Sequence, residues 1–243
     1  MQLIIKESAR ELFREAGEHF ARAVLESTGP VFSAALSGGS TAMGMLKKMR
    51  TDPLASRIPW SKLDLWWVDE RCVPFESPHS NFGNARKDLL DHVPLSAGQL
   101  HPMPAQQEPR QGAMDYEHEM ISAFGLLDRQ LPVFDLIFLG VGPDGHVASL
   151  FPGSEALDER KKLVTAVKGG DPNVYRLSLT LPVLNQSRLV LFVVSGAKKA
   201  ETLRSIFSSA GTGGLPAAMV NPVQGRVTWI VDRDAASLLP IQP

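Results

Sequence analysis

Short apolar and β-branched runs recur along the chain, each closing on a polar, glycine-bearing segment. They are "VFSAAL" at 31–36, "LDLWWV" at 63–68, "FDLIFLG" at 134–140, "RLVLFVV" at 188–194 and "VTWIV" at 227–231. Near-continuous hydrophobicity predicts strands buried on both faces of a parallel sheet, and a further strand begins near Gln2. Between these runs the period lengthens to that of a helix. Over 8–27, Leu12, Ala16, Phe20, Ala23 and Val24 share one face while Arg14, Glu15, Glu18 and Arg22 share the other. Helices are also predicted over 41–50, 81–91, 109–127, 196–208 and 234–239. Alternating strands and helices imply right-handed crossovers and an α/β fold, a three-layer α/β/α sandwich with a Rossmann-like, mostly parallel sheet. Segments 51–61, 92–108 and 209–226 are rich in Pro, Gly and Ser but short. Each leads back to an apolar element, so they predict surface connections inside one domain spanning 1–243.

Composition narrows the function classes. The 243 residues, 44% of them hydrophobic, suffice for a substantial core. The 25 basic and 26 acidic residues are dispersed and sum to −1, which gives no general electrostatic case for nucleic acid or an anionic membrane. No apolar run approaches the roughly 20 residues needed to cross a bilayer. Cys72 is the only cysteine, and the N-terminus turns polar after Ile5, too early for the apolar region of a signal peptide. A cytoplasmic, monomeric protein is expected. His19 and His118 lie on predicted helices and His92 and His101 in connections, without H-x-x-x-H or H-E-x-x-H spacing, so no metal site is expected.

Ligands of open parallel sheets bind beyond the carboxyl ends of the strands, so the loops there carry the candidate chemistry. After 31–36 comes "SGGST". Gly38 and Gly39 can expose backbone amides, and Ser40 and Thr41 add hydroxyls at a helix start: either a phosphate cradle or a glycine turn with a Ser/Thr cap. After 63–68 come Asp69, Glu70 and Arg71, with Asn81 and Arg86 near the next helix start. Arg71 can fork onto a phosphate and Asp69 can orient water or accept a proton; a local Asp–Arg pair is the alternative. After 134–140, Gly140, Gly142 and Gly145 match the G-x-G-x-x-G dinucleotide spacing. Pro143 interrupts it, however, and only His146–Phe151 remain for a helix before Pro152, where the fingerprint needs a long one. The glycines instead predict a tight turn that presents Asp144 and His146. After 188–194, Ser195-Gly196 introduces a helix with Lys198 in its first turn, where an anion would offset the cation's conflict with the helix dipole; a solvated lysine is the alternative. The fifth loop, "DRDAAS", offers Asp234 as a helix cap. Neither a Walker A loop nor a G-x-S-x-G elbow is present.

The ordered set "LSGGST", "WVDERCVPFESPHSNFGNAR", "GVGPDGHVASLFPG" and "VSGAKKAETL" resembles the 6-phosphogluconolactonase family from about residue 30 to 230. The resemblance implies the glucosamine-6-phosphate deaminase/isomerase-like fold and hydrolysis of 6-phospho-D-glucono-1,5-lactone, without cofactor or metal. By motif match Gly38, Gly39, Ser40, Thr41, Arg71 and Lys198 would hold the phosphate, with Asn81 and Arg86 in the binding set. His146 would be the acid/base, supported by Asp69 and Asp144. Val147 and Ala42 stand where family members commonly carry threonine and proline; neither change removes a reacting group. Two alternatives are a glucosamine-6-phosphate deaminase and a non-enzymatic sugar-phosphate sensor. The first is disfavoured by Arg71 and "SLFPG" where that family differs, the second by a first strand starting near Gln2, which leaves no room for a DNA-binding module.

Overall fold

The computed structural model describes residues 1–208 and 214–240. Among these residues ten strands run in chain order: β1 (Gln2–Lys6), β2 (Phe32–Leu36), β3 (Leu63–Trp67), β4 (Asp69–Arg71), β5 (Leu100–His101), β6 (Leu136–Leu139), β7 (Val164–Gly169), β8 (Val174–Leu179), β9 (Leu189–Val194) and β10 (Arg226–Asp232). Seven form one sheet in the order β1-β10-β9-β6-β2-β3-β5, every neighbouring pair parallel. All residues of β2, β6 and β9 are buried, as layers of helices on both faces require. The Phe192 ring of β9 stacks on Trp229 of β10 at 3.8 Å. Helix Ala9–Glu26 buries Leu12, Ala16, Phe20 and Val24 against the sheet, and the Ser8 hydroxyl caps it by accepting the Glu11 amide. Among the described residues no helix is long and apolar enough to cross a membrane.

Helix boundaries differ from expectation for identifiable reasons. The 109–127 helix ends at Phe124, because Gly125 takes a left-handed conformation (φ 59°) that terminates it. The 81–91 helix ends at Asp88 and continues as a 3₁₀ turn, Leu90–His92. Residues 196–208 open with a 3₁₀ turn, Ala197–Lys199, before helix Ala200–Phe207. No helix forms over 234–239. Asp232, rather than Asp234, accepts the Ala235 amide, and a chain of turns follows. The connections also hold more structure than expected: a short helix Leu54–Arg57, edge strand β5, and a helical turn Pro216–Met219. Residues 209–213 of the third connection lie outside the described residues.

β5 is fastened by a partly buried polar knot. The His101 ring stacks on Trp66 at 3.9 Å, its Nδ1 meets Glu119 Oε1 at 2.6 Å, and its Nε2 meets Asp64 Oδ1 at 2.8 Å. Burial pushes the imidazole pKa down, but the two carboxylates override it and raise it to about 9.

An unexpected second sheet, β4-β8-β7, is antiparallel. The chain reaches it at Val68, whose N–H donates to Leu36 of the large sheet while its carbonyl accepts from Leu179 of β8. Topology then fixes where a ligand can sit. The chain steps outward from β2 to β3 and β5, then returns to β6 on the other side of β2. The loops leaving β2 and β6 diverge there, opening a crevice at their carboxyl ends.

Candidate active site

The crevice is a cleft of about 200 Å³, lined by Ser37–Thr41, Asp69, Arg71, Asn81, Gly140–Pro143, His146, Ala148, Arg176 and Lys199. That is smaller than the roughly 300–1,000 Å³ typical of drug-sized ligands, and suits one sugar phosphate better than a dinucleotide.

On the β2 side, helix Ser40–Met49 starts from Gly39 at φ 90°, a conformation glycine adopts without strain. No side chain caps this helix, so neither Ser40 nor Thr41 plays the capping part, and its first turn lines the cleft with no side-chain acceptor on its amides. Gly38 is required by close packing, since a Cβ there would lie 1.8 Å from Asn81 Oδ1.

The segment after β3 is organised by Glu70. Its fully buried carboxylate accepts the amides of Arg71, Asn81 and Phe82 and the Ser80 hydroxyl at 2.7–2.9 Å. An anion at the start of helix Asn81–Asp88 suits the helix dipole. Burial raises the Glu70 pKa against the lowering effect of these donors. The loop is thus tied by Glu70 and not by an Asp69–Arg71 pair. Asp69, 3% exposed, accepts the Asn81 amide group at its Oδ1 (3.2 Å) and main-chain oxygen (2.8 Å), and the Ser149 hydroxyl at Oδ2 (2.7 Å). Cys72 is half-buried; burial, with Glu70 and Glu108 nearby, pushes its thiol up to about 11, which removes it as a nucleophile.

On the β6 side, the glycine turn presents a coupled acid–base pair. Gly145 at φ 84° reverses the chain, and a Cβ on Gly142 would lie 2.1 Å from His146 Nδ1. Only glycine at 142 leaves space for the ring. His146 Nδ1 lies 2.5 Å from Asp144 Oδ1, which also accepts the His146 amide at 3.2 Å. Burial raises the Asp144 pKa, but the facing imidazole and its hydrogen bonds outweigh that and leave it lowered, so the carboxylate is ionised and can only accept. In the neutral ring it therefore assigns the proton to Nδ1 and leaves Nε2 as the acceptor. Of the two carboxylates expected to support His146, the structure brings Asp144 to it and gives Asp69 other partners. Two of the turn amides are occupied: Gly142 donates to the His146 carbonyl and Gly145 to the Gly142 carbonyl. Neither amide is therefore free to donate to an oxyanion. The turn is held from outside by the Thr202 hydroxyl on the Pro143 carbonyl (2.7 Å) and the Ala217 amide on the Gly145 carbonyl.

Two expected cations lie elsewhere. Lys198 is exposed and Lys199 takes the place in the cleft wall, because successive residues of a 3₁₀ turn point about 120° apart. Burial lowers the Lys199 pKa, with Asp144 opposing. Arg86 is exposed and pairs with Asp91 at 3.4 Å; five residues past Asn81 on a helix of 3.6 per turn, it faces away. The sequence reading missed Arg176, 3% exposed on β8 directly opposite Arg71. Its Nε donates to the Gly169 carbonyl, one terminal nitrogen to those of Asp171 and Pro172, and its guanidinium lies 5.6 Å from the Phe151 ring centroid. The other terminal nitrogen keeps its donors. Burial and Arg71 both oppose its charge, a cost that an anion in the cleft would relieve. An arginine, the one charged residue in the mostly apolar "VYRLSLTLPVL", was the available signal.

An open α/β sheet with a histidine–aspartate pair and three cations around a small cleft defines a class of enzyme acting on small phosphorylated molecules. Comparison with known proteins makes the relationship specific. Residues 7–229 match the family described as "Glucosamine-6-phosphate isomerases/6-phosphogluconolactonase". The chain is 40% identical over 84% of its length to a 6-phosphogluconolactonase of Synechocystis sp., covering 83% of that protein. It is 39% identical over 86% to one of Homo sapiens, covering 81% of it. The structure of 6-phosphogluconolactonase from Trypanosoma cruzi superimposes with a TM-score of 0.87 at 27% identity, covering 99% of this chain and 97% of that one. The chain belongs to the glucosamine-6-phosphate isomerase/6-phosphogluconolactonase family.

Proposed function

We propose that this protein hydrolyses 6-phospho-D-glucono-1,5-lactone to 6-phosphogluconate, the lactone-opening step of the oxidative pentose phosphate pathway, as a monomer in the cytoplasm. The observation that carries the assignment of roles is the His146–Asp144 pair beside cations that have no salt-bridge partner among the described residues, all in one cleft. The amides at the start of helix Ser40–Met49, with Arg71, Arg176 and Lys199, hold the phosphate. His146 Nε2 takes a proton from water as its oxygen attacks C1. The tetrahedral oxyanion then collapses, the bond from C1 to the ring oxygen breaks, and Nε2 returns the proton to that oxygen. Asp144 holds the ring and offsets the transient imidazolium charge. Water is the only co-reactant.

The test is rate enhancement over spontaneous opening for the phosphorylated lactone and for its unphosphorylated counterpart. Acceleration strongly biased to the phosphorylated substrate is expected. Ammonia release from glucosamine 6-phosphate would contradict the reading, and binding of 6-phosphogluconate without acceleration would point to a sensor.

A further inference from the structure

The small sheet gathers one carboxylate and two guanidinium groups on a single face. Asp69 and Arg71 are two apart on β4, hence on the same side, and the register sets Ser178 opposite Asp69 and Arg176 opposite Arg71. A carboxylate so placed would ordinarily close onto a neighbouring arginine, the strongest hydrogen-bonding arrangement open to it. Here it does not. Asp69 takes its hydrogen bonds from two neutral side chains, Ser149 and Asn81. Arg71 donates to the His79 carbonyl while its buried Nε has no partner, and Arg176 donates only to main-chain carbonyls. Among the described residues neither arginine has a carboxylate partner. Ser149, fully buried, clamps this arrangement twice: its hydroxyl donates to Asp69 Oδ2 and its amide to the hydroxyl of Ser178, the residue opposite Asp69.

We propose that Ser149 is a positioning residue that holds the Asp69 carboxylate off Arg71 and Arg176 and so keeps both guanidinium groups open to the substrate's phosphate. The identity of the anion rests on the lactonase reading. Without the hydroxyl, Asp69 Oδ2 loses its donor, and a buried carboxylate oxygen left unpaired is costly. Rotation onto a guanidinium relieves that cost, and each incoming phosphate must then break the new ion pair. Ser149 acts on anion affinity without touching the anion.

Calorimetric titration with inorganic phosphate tests this on the parent, Ser149→Ala, Asp69→Asn and the double variant, with unfolding midpoints confirming that each is folded. Ser149→Cys, nearly isosteric with a weak donor, replaces Ser149→Ala if that variant does not fold. Ser149→Ala is expected to weaken phosphate binding about tenfold, equivalent to losing about 1.4 kcal/mol. Adding Asp69→Asn restores it, because no carboxylate is left to swing. A KM for the phospholactone that rises in step with the phosphate Kd, with kcat little changed, is the kinetic counterpart. Unchanged phosphate affinity in Ser149→Ala, a loss that Asp69→Asn does not restore, or a parent that binds no phosphate overturns the proposal. A parent that binds phosphate but does not open the phospholactone refutes the lactonase reading alone, and the comparison of variants still decides the role of Ser149.

Discussion

At the scale of single residues, the proposed chemistry rests on His146 and the groups that hold it. His146 and Asp144 were legible because the turn that presents them is local: glycines at 142 and 145, a proline between them and an acidic residue two positions before the histidine. Arg176 carried only a weak local signal, a cation in a mostly apolar stretch, and its place in the cleft comes from the pairing of β8 with β4, which that stretch does not announce. Between Lys198 and Lys199 the sequence offers no choice; the 3₁₀ geometry after Gly196 makes it. Arg176 is locked by backbone carbonyls with one terminal nitrogen to spare, a geometry the single ammonium of lysine cannot reproduce. Arg176→Lys should raise KM for the phosphorylated lactone about tenfold, the scale of one charge-assisted hydrogen bond, with a smaller effect on kcat. Steady-state kinetics on both lactones checks this, because the unphosphorylated one should lose nothing.

At the scale of elements, the interior strands of the large sheet were readable because both-face burial leaves an unmistakable apolar run, as in "RLVLFVV", whereas the two-residue edge strand β5 leaves none. The small sheet was not, because it joins β4 to β7 and β8, some hundred residues further along the chain, and draws its order from that pairing and from packing on helix Pro109–Phe124. The glycine turn after β6 makes a sharp prediction. A methyl group at 142 would meet both His146 Nδ1 and Asp144 Oδ1 at 2.1 and 2.7 Å, so Gly142→Ala must displace the pair. Displacement of a catalytic group by about 1 Å can cost about 100-fold. Single-turnover rates should fall by that order while phosphate affinity, read by calorimetry, stays close to the parent's. A parallel loss of both would place the strain elsewhere.

At the scale of the whole molecule, the parallel sheet supplies the crevice and the edges supply stability. The His101 knot joins β5 to β3 and to helix Pro109–Phe124, with an imidazole raised from 6.5 to about 9 by Asp64 and Glu119 against the effect of burial. A raised folded-state value means stabilisation that is complete below about pH 6.5 and lost as pH climbs through about 9. Allowing for solvent screening at half-exposed Glu119, the contribution is about 2 kcal/mol. Urea unfolding at pH 6 and pH 10 should show the parent losing about that much more stability than His101→Gln between the two conditions. An equal loss in both proteins would remove the knot from the account.

The central claim is that His146, aimed by Asp144, moves the protons of lactone opening. The most direct measurement is the rate of 6-phospho-D-glucono-1,5-lactone hydrolysis above the spontaneous background, in the parent and in a folded His146→Ala variant that still binds phosphate. General acid–base catalysis contributes about 10²–10⁴-fold, and the variant should lose a factor in that range. A His146→Ala protein that opens the lactone at the parent's rate would contradict the account.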